Sequence, residues 1–248
     1  NNNPLNDWKD IATHLLSIPM AHQLIGYYTI ADRSDGVLKV LRSYQYYAVH
    51  RISDKVHKHR DWSSTDHQLG GHVWHTTGSG KTMSSFKSAL LIADSGDADK
   101  VVFVIDRIEL GTQSAREYRG FSVTDNDIQE TEDTDAFVKK LLSTKTADTL
   151  IVSSVQKLSI IAEEPRFAEQ LKKINRKRIV FIVDECHRST FGDSFAAIKS
   201  AFSTALFFGF TGTPIQIENQ RNGFTTVDIF GDELHRYSIA DGIRDKNV

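Results

Sequence analysis

The chain has 248 residues, 40% of them hydrophobic and 25% charged, with a formal net charge of −2 and one cysteine, Cys186. That length supports one large domain, or a domain with an appendage, around a sizeable core. No apolar run reaches the ~20 residues of a membrane helix, a lone cysteine rules out an internal disulfide, and the slight acidity leaves any nucleic-acid binding to local basic patches.

The amino terminus, Asn1-Asn2-Asn3-Pro4-Leu5, has neither the basic start nor the apolar stretch of a signal peptide. It also lacks an initiator methionine, so a piece of a longer protein is expected, and the single cysteine fits a reducing cytoplasm. Trp8, Ile11, Leu15 and Ile18 fall at helical spacing and predict an amphipathic helix ending near Pro19. Leu24 to Ile30 predicts a strand, and Asp35-Gly36 marks a turn. Residues 1–40 therefore read as a connecting layer ahead of a domain spanning 41–248.

Residues 41–60 predict a helix, with Tyr44, Ala48, Arg51 and Lys55 on one face and Tyr47, Ile52 and Val56 near another. Gln45 carries an amide of the kind that pairs bidentately with adenine, or that simply sits in solvent. His57-Lys58-His59-Arg60 either meets phosphate or complements the helix dipole.

The stretch that organises the rest is Gly71 to Thr82. His72 to His75 is β-prone, Thr76, Thr77, Gly78, Ser79 and Gly80 form a small polar loop, and Lys81-Thr82 open a helix that continues from Met83 to Ala93. Glycines let backbone N–H groups curl inward, and the helix adds its positive N-terminus, so the loop suits phosphates. Lys81 reaches the β- and γ-phosphates and the Thr82 hydroxyl suits Mg2+. His75 stands where the strict G-x-x-x-x-G-K-[ST] pattern has its first glycine, and Met83 stands where a dinucleotide fingerprint has its third.

Val101 to Ile105 is a continuous apolar run, as in a strand buried on both faces of a parallel sheet. A helix over Glu109–Arg119, a polar loop over Thr124–Asp135 and a helix with Phe137, Leu141 and Leu142 follow. Leu150–Val152 predicts a strand ending in Ser153-Ser154-Val155-Gln156-Lys157, and Pro165 opens a helix carrying Phe167, Leu171 and Ile174. Ile179–Val183 is the clearest strand, and Asp184-Glu185-Cys186-His187 follow it. Adjacent carboxylates at such an end call for a metal or partner, and this edge of a parallel sheet is where ligands bind. Leu206–Phe210 makes another strand, followed by Thr211-Gly212-Thr213-Pro214; beyond it, Thr225–Phe230 reads as a short strand and Ser238–Arg244 as a helix.

Alternating strands and helices predict an α/β fold with a mainly parallel, twisted sheet flanked by helices on both faces. H-T-T-G-S-G-K-T, D-E-C-H and F-T-G-T-P in that order resemble the first RecA-like motor lobe, a P-loop NTPase domain, of superfamily 2 helicase-type ATPases. Together with V-I-D-R-I-E-L-G-T-Q, S-S-V-Q-K-L and V-D-E-C-H-R-S, they resemble the R subunit of type I restriction-modification enzymes over residues 24–248.

The resemblance implies ATP and Mg2+, with Thr77 to Thr82 around the phosphates, Thr82 and Asp184 toward the metal, and Glu185 activating water. It implies adenine reading by Gln45, nucleotide-to-movement coupling by Thr211, Gly212 and Thr213, and a link from His187 to an opposite lobe. Arg107, Gln113, Ser154, Gln156 and Lys157 are implied to face a double-stranded DNA backbone. It further implies a bacterial or archaeal cytoplasmic translocase whose second motor lobe and nuclease domain lie outside this chain. Residues 1–40 would join that nuclease domain to the motor. Methyltransferase and specificity subunits are the implied partners, and no membrane is implied. Alternatives from the shared motifs are a lobe of another DNA or RNA helicase, or a non-catalytic nucleotide-dependent switch. A metabolic kinase does not account for T-G-T-P.

Overall fold

The computed structural model describes residues 6–59, 61–62, 69–105, 129–130, 133–186, 192–219 and 224–247. Strands β1 (Thr29–Asp32) and β2 (Val37–Val40) form an antiparallel hairpin. Its turn is closed by a bond from Gly36 N to Asp32 O (2.8 Å), with Gly36 at φ 71°. Among the described residues, seven further strands make one sheet: β3 (Leu69–His75), β4 (Lys100–Ile105), β5 (Gln129–Glu130), β6 (Leu150–Ser154), β7 (Ile179–Val183), β8 (Leu206–Thr211) and β9 (Glu233–Tyr237). Their order is β5-β6-β4-β7-β8-β3-β9, and every pairing is parallel.

Every residue of β4, β6, β7 and β8 is buried, as a sheet covered on both faces requires. Successive side chains alternate between two cores. Val101, Phe103, Val180, Ile182, Phe208 and Phe210 face one side, under helices Ser43–Lys58 and Lys81–Ser95, which supply Ala48, Ile52, Phe86 and Ile92. Val102, Val104, Phe181, Val183 and Phe207 face the other, against Phe137, Leu158, Ile174 and Phe195 of helices Thr134–Leu142, Val155–Glu163, Ala168–Ile174 and Gly192–Ala201. The chain thus has the expected α/β architecture. The hairpin and its approach belong to the first side: Tyr28 and Ile30 join that core, and Lys87 Nζ donates to Thr29 O (3.0 Å).

Several local expectations give way. Pro19 does not end a helix; a helical turn at Trp8–Asp10 runs into a π-helical stretch, Ile11–Leu15, and Pro19 sits in the first turn of a new helix, Ile18–Gly26. A first-turn proline gives up only an N–H that would have had no helical partner. The strand expected at Leu24–Ile30 therefore starts at Thr29. Thr225–Phe230 is not a strand but a short helix, Thr226–Phe230, because Thr225 and Asp228 form a reciprocal capping box (Asp228 N to Thr225 Oγ1 3.2 Å; Thr225 N to Asp228 Oδ2 2.8 Å). The strand of that region is β9. On the Ser43–Lys58 helix the buried face is Tyr44, Gln45, Ala48, Val49, Ile52 and Val56, whereas Tyr47 is 45% exposed. In the basic run at its end, Lys58 pairs with Asp54 and His57 with Asp97. The helix expected over Glu109–Arg119 lies outside the described residues.

Candidate functional site

The loop after β3 is built by its glycines. Gly78 (φ 80°) and Gly80 (φ 75°) both lie in the left-handed region. A Cβ at Gly80 would also sit 2.6 Å from Gln45 Nε2, so both conformation and space demand glycine there. Ser79 closes the turn, donating from N (3.2 Å) and Oγ (2.6 Å) to Thr76 O. The 15-residue helix Lys81–Ser95 then starts with no side-chain cap. Its first-turn N–H groups are the donors that suit an anion.

Three segments from different strand ends converge on Lys81. Its Nζ lies 3.4 Å from Glu185 Oε1, with Lys81 7% and Glu185 25% exposed. Gly212 closes the third side, since a Cβ there would lie 3.3 Å from Lys81 Nζ and 3.4 Å from Thr77 Oγ1. Gly212 O accepts from Trp74 Nε1 (3.1 Å), and Thr213 N donates to Thr211 Oγ1 (3.0 Å), tying the turn after β8 to β3 and to itself. Glu185 holds φ 49°, a region that non-glycine residues occupy at a cost and that clusters at working sites. Asp184 is buried; its N donates to Val104 O (3.1 Å) and its Oδ1 accepts from Glu185 N (3.1 Å). Burial pushes the neighbouring Cys186 thiol up, so that side chain packs as an uncharged group.

Gln45 meets the loop from behind. Its Oε1 accepts from Arg42 N (2.9 Å), and its Nε2 donates to Ser79 O (3.0 Å) and Gly80 O (3.3 Å). Tyr44 Oη donates to the same Ser79 carbonyl (2.8 Å). Both amide atoms are thus already engaged, Nε2 bracing the loop and Oε1 capping the start of its own helix. Gln45→Ala is accordingly expected to weaken ATP about ten-fold, at ~0.5–1.5 kcal/mol per lost hydrogen bond. Isothermal titration with ATP and GTP separates the roles: the loss common to both nucleotides is bracing, and any extra loss for ATP is adenine reading. Unchanged affinity for both nucleotides would remove Gln45 from the site.

Sequence reasoning did not foresee the group under the loop. His75 Nε2 and His235 Nδ1 lie 3.0 Å apart, and His75 Nδ1 has no hydrogen-bond partner among the described residues. Burial pushes both imidazoles down, His75 well below the usual range and His235 to about 4, the latter helped by the Arg51 charge. The unfolded chain therefore takes up these protons first as pH falls, so stability is full above about 6.5 and declines between 6.5 and 4. Melting curves across that window are expected to show a falling Tm, by roughly 2–4 °C per kcal/mol lost. His235→Gln, which does not titrate, should reduce the slope.

Ser154, Gln156 and Lys157 stand apart from Lys81, at the end of β6, with β4 between β6 and β7. Ser154 is buried and Gln156 Oε1 is buried with no hydrogen-bond partner among the described residues, while Lys157 is half-buried. Arg107, Gln113 and His187 lie outside the described residues.

Residues 44–248 match the model of the SWI2/SNF2 ATPase family. The chain is 38% identical over all its 248 residues to the type I restriction enzyme SsaAORF53P endonuclease subunit of Staphylococcus saprophyticus, of which it covers 25%. It is 37% identical over 193 residues to the C-terminal part of the putative type I restriction enzyme MpnIIP endonuclease subunit of Mycoplasma pneumoniae, covering 77% of this chain and 92% of that one. Its fold is similar to that of a nuclease-deletion mutant of the type ISP restriction-modification enzyme LlaGI in complex with a DNA substrate mimic (TM-score 0.56, 21% identity, 84% of this chain and 21% of that chain). It is also similar to T4 UvsW (TM-score 0.54, 15% identity, 88% of this chain and 38% of that chain). At those identities the two structures speak for the fold alone. The chain spans about a quarter of the length of the staphylococcal relative.

Proposed function

Because this chain belongs to the SWI2/SNF2 ATPase family and, within it, to the endonuclease subunits of type I restriction enzymes, we propose that it is the first lobe of an ATP-driven motor that translocates double-stranded DNA. The observation that carries the proposal is the convergence of Lys81, Glu185 and Gly212 from three separate strand ends. The uncapped helix N-terminus and the glycine cradle receive the phosphates, and Lys81 neutralises charge on the transferring group. Glu185, a quarter exposed, takes a proton from the attacking water as the bond to the γ-phosphorus forms and ADP departs.

The Thr82 hydroxyl and Asp184 carboxylate are hard oxygen donors of the kind Mg2+ takes. Phosphate and water oxygens would complete the shell of an ion held by so few protein donors. An ion held by Thr82 and Asp184 would supply neutralisation of phosphate charge.

In this reading Thr211 and Thr213, on either side of Gly212, relay the nucleotide state to the sheet edge. His187 links to a second motor lobe, which supplies an arginine finger worth ~10³–10⁵ in rate. Arg107, Gln113, Ser154, Gln156 and Lys157 meet the DNA backbone. Residues 1–40 connect to a nuclease domain of the same polypeptide, and the methyltransferase and specificity partners complete the restriction assembly in the cytoplasm. Among the described residues no helix is long and apolar enough to cross a membrane.

A triplex-displacement assay on the intact endonuclease subunit tests the proposal. ATP-dependent release of the third strand without separation of the underlying duplex is expected. Duplex separation would assign the lobe to an unwinding helicase, and binding of ATP without turnover would make it a switch.

A further inference from the structure

The loop is held from behind by more than Gln45. Tyr44 and Tyr237 stack with ring centroids 3.7 Å apart and planes 10° from parallel. His75 meets both rings edge-on, at 5.4 and 6.2 Å. Aromatic quadrupoles favour offset or edge-to-face pairs at 4.5–7 Å over so close a parallel stack, so its neighbours must hold it. They do so at both ends. Tyr44 Oη donates to Ser79 O (2.8 Å), inside the phosphate loop. Tyr237 Oη donates to Asp245 Oδ2 (3.1 Å) and accepts from Asn247 Nδ2 (2.8 Å), beyond the Ile239–Arg244 helix. The Tyr237 carbonyl also accepts from Thr76 N (2.9 Å), so β9 grips the first loop residue as well.

We propose that the Tyr237–Tyr44 stack is a positioning element for the phosphate loop, through which the Tyr237 ring sets nucleotide affinity. The proposal rests on reading the loop as the ATP site. The physical link is the planar trans peptide between Ser79 and Gly80. Its carbonyl is held toward Tyr44 and Gln45, so the Gly80 N–H points the opposite way, away from the brace. Losing the Tyr44 hydroxyl leaves the Ser79 carbonyl to Gln45 alone and loosens the peptide. Losing the Tyr237 ring lets Tyr44 leave the carbonyl. Burial raises the pKa of both phenols, which keeps both hydroxyls protonated as donors.

The test is titration calorimetry of ATP on the intact endonuclease subunit, with a melting curve for each variant. Tyr44→Phe keeps the stack and removes one hydrogen bond, so ATP should weaken about three- to ten-fold with little change in Tm. Tyr237→Leu should weaken ATP about ten-fold or more, and Tyr237→Phe should restore affinity to within about three-fold, since it keeps the ring. A purely structural tyrosine would move Tm and leave the affinity of the folded fraction alone. Wild-type affinity in Tyr44→Phe, or equal affinities in folded Tyr237→Leu and Tyr237→Phe, would overturn the proposal. Lys81→Ala separates the two levels: if it weakens ATP while Tyr44→Phe does not, the stack alone is refuted. If Lys81→Ala also binds ATP normally, the loop is not the ATP site and both readings fall.

Discussion

Lys81→Ala is expected to abolish ATP turnover while leaving the fold standing. The side chain is 7% exposed yet belongs to neither apolar core; it reaches across to Glu185 at 3.4 Å and lies against Gly212. Removing it leaves Glu185, which at 25% exposure is open to water, so the structural cost is small. In the proposed reading the chemical cost is large, because Lys81 is the preorganised positive charge at the transferring group. Removing one such stabilising group typically costs about 10²–10³-fold in kcat. Phosphate release by the intact subunit is the measurement, with far-ultraviolet circular dichroism to verify the fold. Turnover near wild type would overturn the assignment of the loop.

Glu185→Gln should separate binding from chemistry. The amide keeps the size of the carboxylate but cannot take a proton, so kcat is expected to fall about 10²–10⁴-fold. The KM for ATP should stay within a few-fold, since the loop, its glycines and its braces are untouched. Glutamine meets the same left-handed backbone as glutamate at φ 49°, so the exchange adds no new strain. A variant that turns over within a few-fold of wild type would show that another group accepts the proton.

The strands clearest in the sequence are those buried on both faces. β4, β7 and β8 declare themselves as unbroken apolar runs because neither side of the sheet offers a polar position. β9 escaped because only His235 and Tyr237 of its Glu-Leu-His-Arg-Tyr are buried; a sheet-edge strand with exposed Glu233 and Arg236 has no such run. Thr225–Phe230 misled in the opposite sense, its β-branched residues suggesting a strand where a threonine–aspartate cap decides for a helix. The Val155–Glu163 helix buries Val155, Leu158 and Ile161 at three-residue spacing, but it follows β6 without a break, so strand and helix merge in one apolar stretch.

In the site, the loop, the paired carboxylates and the T-G-T turn could be read because each is local. The braces could not. Tyr44 contacts Ser79 across 35 positions, and His75 contacts His235 across 160, separations that no periodicity records.

The pairing of β7 with β8 has a consequence for tolerance to insertion. Val183 stands opposite Gly209, and Trp74 of β3 opposite Thr211, so Glu185 and Gly212 are delivered to Lys81 by rows of matched residues. One step along a strand is ~3.3 Å, as long as the 3.4 Å that separates Lys81 from Glu185. A single residue inserted within Ile179–Val183 would thus misalign the ion pair by its own length. It would also exchange the side chains of Val180 and Ile182 with those of Ile179 and Phe181 between the two cores. The sheet acts here as a gauge block, and the accuracy of the chemistry is machined into residues that never touch the nucleotide.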